Sequence, residues 1–144
     1  MGNSVPHVPH VLHTRELEAA FRSFSRALGH RGIVVIGLLN YARIDRERDR
    51  IVNIRRVGHS EYIRFYDFLS NTRVRFNVLA IDWSGAEPTH RLYSTELRPY
   101  AVEEIAYALE WVGFSNVELF SNVALTPYDD ASYGATVVAR KKAG

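Results

Sequence analysis

A chain of 144 residues that is 47% hydrophobic has the size and composition of one globular domain, which excludes a fibrous or an intrinsically disordered protein. It contains no cysteine, so a disulfide framework, thiolate catalysis and a cysteine-based zinc site are excluded as well. The net charge of +2 is too small to indicate a nucleic-acid partner.

Apolar runs in this chain are short. None approaches the roughly 20 residues that a membrane-spanning helix needs, and the amino end has no basic region followed by an apolar one. We therefore expect a cytoplasmic protein that binds neither a membrane nor nucleic acid.

The first thirteen residues contain two prolines and no helical period, which is typical of a loop. His7, His10 and His13 recur at every third position, and neutral imidazole is a common ligand of transition metals. Histidine ligands on one helix face are spaced by four, however, and Pro9 prevents a regular helix here. We predict no metal site.

Residues 14–41 have the pattern of a helix followed by a buried strand. Thr14 to Leu28 follow the 3.6-residue period, and Gly29 to Gly32 form a tight return. Six of the seven residues in Ile33–Leu39 are apolar and four are β-branched, which predicts a central strand buried on both faces of a parallel sheet. Asn40 and Tyr41 follow at its carboxyl end, where doubly wound sheets bind ligands.

Alternating arginine and acidic residues occupy positions 42–51. Arg43 with Glu47, and Asp45 with Arg48, have the spacing of ion pairs along a short helix. Such a segment is typical of a solvated helix face. Phosphate binding is the alternative, and the three acidic residues argue against it.

Residues 51–98 have the alternating pattern of antiparallel strands. We predict strands at Ile51–Val57, Glu61–Leu69, Arg73–Trp83 and Arg91–Leu97, joined by turn-rich connections. Arg73, Arg75 and Asn77 alternate with apolar residues and give the sheet a polar face. That face could line a cleft or could meet water, and the sequence favours neither.

The last third of the chain predicts one helix and two strands. Pro99 stands at the start of an apolar helical stripe that Gly113 closes. Strands follow at Val117–Phe120 and Ala135–Arg140, separated by a loop over 127–133. Asp129 and Asp130 are adjacent, so in extended chain their carboxylates point apart, and we predict no catalytic pair and assign no catalytic residue.

Taken in order, several motifs resemble the carboxyl half of class I S-adenosylmethionine-dependent methyltransferases, closest to the glycine and sarcosine N-methyltransferase branch. The motifs are Gly2-Asn-Ser-Val-Pro-His7, the strand ending Leu39-Asn-Tyr41, Arg64-Phe-Tyr-Asp-Phe68, Gly113-Phe-Ser-Asn-Val-Glu-Leu119 and the final Ala139-Arg-Lys141. The likeness covers nearly the whole chain.

The resemblance implies a fold and a set of binding residues. The fold would be α/β: an incomplete Rossmann-like sheet of the fifth, sixth and seventh strands, with an antiparallel β insertion at 51–98 inside a single domain of residues 1–144. Asn3, Ser4 and His7 would contact the cofactor S-adenosylmethionine. Asn40 and Tyr41 would face a small-molecule methyl acceptor, and Arg64 or Tyr66 could wall the cleft. Simple packing is an equal alternative for Tyr41 and Tyr66.

Two departures from the family pattern affect function. Glycine-specific members carry an arginine where this chain has Leu39, which argues against glycine as the acceptor. The family also holds its cofactor on a glycine-rich loop and an acidic residue after its first two strands, whereas no two of the nine glycines here stand two residues apart. We therefore expect weak or absent cofactor binding by this chain alone.

Two hypotheses of different class follow. The chain is a methyltransferase sequence without its cofactor-binding half, or it is a non-catalytic interaction module that uses its sheet to bind a protein. We expect either a homo-oligomer or completion by a separately encoded amino-terminal half, because the strand at Ile33–Asn40 would otherwise keep a bare edge.

Overall fold

Over residues 15–143, which the computed structural model describes, the chain forms three helices and seven strands. The α/β class is therefore confirmed, with sheets that are antiparallel throughout. In chain order the elements are α1 Arg15–Ala27, β1 Ile33–Leu39, α2 Tyr41–Glu47, β2 Ile51–Val57, β3 Ser60–Ser70, β4 Arg73–Asp82, β5 Thr89–Leu97, α3 Val102–Trp111, β6 Phe114–Phe120 and β7 Gly134–Lys141.

Two compact units divide these elements. Of the described residues, the first contains 15–43 and 100–143, and the second contains Ile44–Pro99. The first unit has a three-stranded sheet in the order β1-β7-β6, with β7 antiparallel to both neighbours. The second has a four-stranded meander in the order β2-β3-β4-β5.

The core of the first unit lies between its sheet and its helices. Phe21 of α1 and Leu109 of α3 are buried together with Val137 of β7. Val34, Ile36 and Leu38 of β1 pack against this cluster from the same side of the sheet. Burial of apolar side chains at about 25 cal/mol per Å² is the main stabilising term for such a unit.

Strand β1 differs from its prediction as a central strand buried on both faces of a parallel sheet. Among the described residues it pairs only with β7, antiparallel, and lies at an edge of the sheet. Its side chains alternate in burial, and Val35 is 58% exposed. Within the described residues the predicted parallel pairing and two-sided burial are wrong, because an apolar, β-branched run shows only that a segment favours a strand, whereas its neighbours depend on distant parts of the chain.

Helix α1 is tied to the sheet at its carboxyl end. Nζ of Lys141, on β7, donates hydrogen bonds to the carbonyl oxygens of Ser25 and Leu28 at 2.6 and 2.9 Å. These are among the last carbonyls of the helix, which have no intrahelical partner, and a cation there is also attracted by the negative end of the helix dipole. Lys141 thus acts as a C-terminal cap supplied by a strand.

The four strands of the second unit lie within a few residues of their predicted bounds. Gly58, at φ 61°, occupies the turn between β2 and β3, where glycine adopts the left-handed conformation without steric cost. Adjacent to this sheet in the chain, α2 carries the predicted Asp45–Arg48 ion pair at 3.0 Å, with both side chains exposed.

Candidate functional site

The carboxyl end of β1 is occupied by a buried amide. Asn40 is 1% exposed, and its Nδ2 donates to the carbonyl oxygens of Asp130 and Ser132, both at 2.9 Å. Its backbone N–H donates to the carbonyl of Tyr133 at 2.9 Å, and its Oδ1 accepts from the backbone N–H of Arg43 at 3.4 Å. Asn40 therefore caps α2 and fixes the β6–β7 loop to the end of β1.

The β6–β7 loop is held together from within by a serine hydroxyl. Oγ of Ser121 donates to the carbonyl of Pro127 at 2.9 Å and accepts from the backbone N–H of Asp129 at 3.1 Å. It also accepts from Oγ of Ser132 at 2.7 Å. Because this loop is hydrogen-bonded internally and to Asn40, its conformation is fixed. The loop and the carboxyl end of β1 are together called the rim below.

Strand directions explain why these residues meet. Both β1 and β6 run antiparallel to β7, so the carboxyl ends of β1 and β6 lie at the same end of the sheet. The sequence indicated only the end of β1 as a candidate site, and Ser121, Ser132 and Tyr133 were not identified as site residues. The polar pair Ser121-Asn122, directly after β6, is the same kind of signal as Asn40-Tyr41 and could have identified them.

Aromatic and cationic groups complete the rim. The guanidinium carbon of Arg43 lies 5.6 Å from the ring centroid of Tyr133, a cation–π distance. Tyr133 is exposed, and Tyr41 is half-buried at the start of α2. The rim thus exposes an aromatic ring beside a cation, while the amide of Asn40 and the hydroxyl of Ser121 make their hydrogen bonds within the protein.

Two other predicted substrate-binding residues share one face of β3 in the second unit. Nη1 of Arg64 donates to Oδ1 of Asn53 at 3.0 Å. Tyr66 is 2% exposed, and its ring centroid lies 6.2 Å from that of Phe68 and 5.6 Å from that of Phe76. Tyr66 therefore belongs to an aromatic cluster. Substrate contact by Arg64 or Tyr66 stays a prediction.

The predicted polar face of the second sheet contains a continuous hydrogen-bond network. Asp67 pairs with Arg50 at 2.8 Å and accepts from Nδ2 of Asn77 at 3.0 Å. The Oδ1 of Asn77, which is buried, accepts from Oγ of Ser94 at 2.6 Å. These polar groups satisfy one another within the sheet.

Two exposed carboxyl groups of this unit have perturbed acidity. Hydrogen bonding by the guanidinium of Arg73, at 2.8 Å, lowers the pKa of Glu96 from its usual value. Hydrogen bonds from Ser84, one of them from its backbone N–H at 2.8 Å, lower the pKa of Asp82. Both groups are therefore held as carboxylates and are not suited to act as general acids at neutral pH.

The described residues do not fit a complete cofactor site. A cavity of about 660 Å³ lies between α1 and β1 and is here called the α1–β1 groove. None of its lining residues has a carboxylate that could bind a ribose. The lining residues are Leu17, Ala20, Phe21, Phe24, Ala27, Leu28, Val34, Val35, Ile36, Gly37 and Ile105. The predicted cofactor contacts Asn3, Ser4 and His7 lie outside the described residues.

Neither a metal-binding cluster nor a membrane-spanning helix occurs in the described part of the chain. Between residues 15 and 143, no group of three or more histidine or acidic side chains is placed to hold a metal ion, and the histidine triplet at 7, 10 and 13 lies outside that range. Within the same range no helix is both long enough and apolar enough to span a membrane.

Comparison with known proteins gives matches in structure alone, since no protein-family model and no curated protein matches the sequence. An S-adenosylmethionine-dependent methyltransferase from Clostridium acetobutylicum ATCC 824 matches 96% of this chain and 55% of its own, with a TM-score of 0.70 and 13% identity. The described fold resembles part of a methyltransferase fold. The chain spans about half the length of the solved structures it matches.

Two other solved methyltransferases agree with this fold assignment. The CcbJ methyltransferase from Streptomyces caelestis is 16% identical, with 87% of this chain and 52% of that chain covered and a TM-score of 0.66. CalS10, an amino pentose methyltransferase from Micromonospora echinaspora solved with S-adenosylmethionine bound, is 14% identical, with 98% and 56% covered and a TM-score of 0.54. Sequence identities this low indicate a similar fold and do not identify a substrate.

Proposed function

We propose that this chain forms the acceptor-side half of an S-adenosylmethionine-dependent methyltransferase that acts on a small molecule. The observation that carries the proposal is the strand order β1-β7-β6, with β7 antiparallel to both neighbours. In a class I methyltransferase sheet, the fifth, seventh and sixth strands have this order. On this proposal β1 is the fifth strand of an incomplete Rossmann-like sheet. The second unit is then an insertion between β1 and α3.

The proposal requires a cofactor-binding half beyond the described residues. The α1–β1 groove and the unpaired edge of β1 are where a fourth strand and its helices would pack. That half would come from the same polypeptide or from a separately encoded one, and Asn3, Ser4 and His7 would stand at its junction with β1. S-adenosylmethionine is the proposed cofactor because the matched structures are methyltransferases that use it.

The proposed acceptor is a small molecule with an amino group. One of the matched proteins is described as an amino pentose methyltransferase, and the sequence motifs resemble an N-methyltransferase branch. In this chain Asn40 would act by holding the rim loop rigid, and Tyr41 would contact the acceptor. A preorganised rim favours methyl transfer because such reactions depend on alignment of acceptor and donor more than on acid or base catalysis.

The test is to isolate the polypeptide as it occurs in its own cells. A carboxyl-terminal tag at the genomic locus would be used for purification, followed by intact-mass measurement, calorimetry with S-adenosylhomocysteine and transfer of labelled methyl groups to a panel of amino sugars and other small amines. We expect the preparation to contain a glycine-rich cofactor-binding segment, to bind S-adenosylhomocysteine at micromolar concentration and to methylate at least one amine.

Two results would overturn this proposal. One is a preparation that contains such a segment and binds S-adenosylhomocysteine, yet methylates only a protein or a nucleic acid. The other is a purified polypeptide that consists of these 144 residues alone, has no co-purifying half and does not bind S-adenosylhomocysteine. The second result would favour the non-catalytic interaction module.

A further inference from the structure

The end of the first sheet that is opposite the rim has a small cavity with cationic side chains in its lining. The cavity has a volume of about 480 Å³, and its lining includes Arg31, which precedes β1, and Arg140 and Lys142, at the end of β7. The backbone N–H of Lys141 donates to the carbonyl oxygen of Gly32 at 2.8 Å and holds the two segments together. Arg31, Arg140 and Lys142 are here called the basic cluster.

The charges of the basic cluster are not neutralised within the described range 15–143. All three side chains are exposed, none of them makes a hydrogen bond or an ion pair in that range, and no residue that lines the cavity is acidic. Lys141 also lines the cavity, but its ammonium is occupied by the carbonyl oxygens of Ser25 and Leu28. Like charges around one cavity repel one another, and a bound anion would replace this repulsion by attraction.

The turn that contains Arg31 has a conformation that glycine would adopt with less strain. The backbone N–H of Gly32 donates to the carbonyl oxygen of Gly29 at 3.0 Å, and Arg31, the third residue of this four-residue turn, has a φ of 58°. Glycine or asparagine is usual at that position, because a larger side chain is crowded by the backbone there. No hydrogen bond of the Arg31 side chain within residues 15–143 offsets this cost. The described fold therefore does not explain the arginine, whereas a ligand would.

We propose that the basic cluster binds the phosphate groups of a phosphorylated small molecule. Each of its two guanidinium groups is a planar fork that matches a pair of phosphate oxygens, and the ammonium of Lys142 adds a point charge. The amide of Asn116, an exposed residue near the start of β6, lines the same cavity and is a further hydrogen-bond donor. Three cations favour a ligand with at least two negative charges, which means a phosphate monoester or a diphosphate.

The size and the surroundings of the cavity favour a small molecule over nucleic acid. A volume of about 480 Å³ lies within the range of small-molecule sites. Nucleic acid binds along a basic groove that follows several phosphates of its backbone. Here the surface next to the basic cluster is apolar: Ile33, opposite Arg140 in register, is 44% exposed, and Val35, two residues further along β1, is 58% exposed.

The proposed phosphate site is separate from the rim. Arg31 precedes β1 and the rim follows it, so seven residues at about 3.4 Å each place the two roughly 20 Å apart. A phosphate held by the basic cluster therefore does not occupy the acceptor position. The proposal consequently does not depend on the proposed methyl transfer.

Titration calorimetry of the 144-residue chain with pyrophosphate tests the proposal, at an ionic strength of about 0.15 M in a buffer without other phosphate or sulfate. We expect a dissociation constant below about 1 mM. Arg140→Gln should weaken binding at least about 10-fold, the effect of losing a charge-assisted hydrogen bond. Arg55→Gln removes an exposed arginine of β2, outside the cavity, and should change binding less than about twofold.

Arg31→Gly separates phosphate binding from folding. Glycine adopts the left-handed conformation without steric cost, so in the absence of pyrophosphate this variant should melt at the wild-type temperature or above it. It should nevertheless bind pyrophosphate at least about 10-fold more weakly, because one guanidinium is lost. A purely structural role of Arg31 would instead lower the melting temperature and leave binding unchanged, which would contradict the proposal.

Amide NMR spectra locate the bound anion. Pyrophosphate should shift the resonances of Arg31, Asn116 and Lys142 and leave those of the rim unchanged. Three results would overturn the proposal: no binding at about 10 mM pyrophosphate, an equal loss of binding with Arg55→Gln and Arg140→Gln, or shifts centred elsewhere. A short RNA that binds at least about 100-fold more tightly than pyrophosphate, and loses this affinity in Arg140→Gln, would overturn it in favour of nucleic acid.

Discussion

Asn40 shows how a single polar side chain can join distant parts of the chain. Both hydrogens of its amide are donated to carbonyl oxygens about 90 residues away in sequence. Its role in binding an acceptor stays a prediction, because the described contacts of the side chain are with backbone of the protein. A rim residue that fixes a loop affects ligand binding through the geometry of that loop.

We expect Asn40→Ala to destabilise the protein by about 2–4 kcal/mol, because it removes a buried amide that donates two hydrogen bonds, to the carbonyls of Asp130 and Ser132. Urea unfolding measures this change. Asn71→Ala, in the exposed β3–β4 turn, is the control and should cost less than about 0.5 kcal/mol. Equal losses for the two variants would contradict the structural role of Asn40.

Helix α1 depends on contacts that its own sequence does not contain. Its apolar period defines which face is buried, yet its carboxyl end is capped by Lys141 on β7. Lys141 and Lys142 are adjacent, and only Lys141 is partly buried. An element predicted from local periodicity can therefore owe part of its stability to a residue more than 110 positions away.

Lys141→Met keeps the aliphatic stem and removes the ammonium, so the loss of two hydrogen bonds to α1 should lower stability by about 1–2 kcal/mol. Lys142→Met removes an exposed ammonium and should change stability by less than about 0.5 kcal/mol. Thermal unfolding of both variants measures the difference. If Lys142→Met lowered the stability as much as Lys141→Met, the cap would not stabilise α1.

Strand β1 has one edge that is not paired within the described residues, next to the apolar α1–β1 groove. Unpaired strand edges recruit other strands, and a charged side chain on the edge opposes this. We expect the isolated chain to form associated species at high concentration, and Val35→Lys to reduce them in light scattering. Val123→Lys, at an exposed loop position, should have no effect. A wild-type protein without such species would show that this edge is covered.

At the scale of the whole molecule, the chain is two units of different character. The first unit contains the three-stranded sheet and the candidate rim, and the second is a four-stranded meander with its own polar network. The structural matches cover most of this chain and about half of each matched protein. The activity of those matched proteins is therefore only proposed for this chain.

For the 144-residue chain alone, we expect no S-adenosylhomocysteine binding tighter than about 1 mM, a dissociation constant that corresponds to only about 4 kcal/mol. The reason is that the described residues provide neither a glycine-rich turn nor a carboxylate beside the α1–β1 groove. Titration calorimetry measures this directly. Micromolar binding by the isolated chain would mean that residues 1–144 contain the whole cofactor site.

Sequence alone identified the strongly periodic elements. The helical stripe of α1 and the alternation in β3 and β4 are local patterns, and the observed bounds lie close to the predicted ones. It also located the end of β1 as a place of interest, because a polar Asn40 directly after an apolar strand is a local signal. Local chemistry determines whether a segment favours a helix, a strand or a turn.

Tertiary structure decided which elements are neighbours, and this could not be predicted from local patterns. The position of β1 at a sheet edge, the attachment of Asn40 to the β6–β7 loop and the register that aligns Ile54 with Leu92 all join residues far apart in sequence. A shift of one residue in the register of β4 would move Leu79 to the opposite face of the sheet from Ile63 and Leu92. The sequence determined the elements, and packing between distant elements decided what each surface can bind.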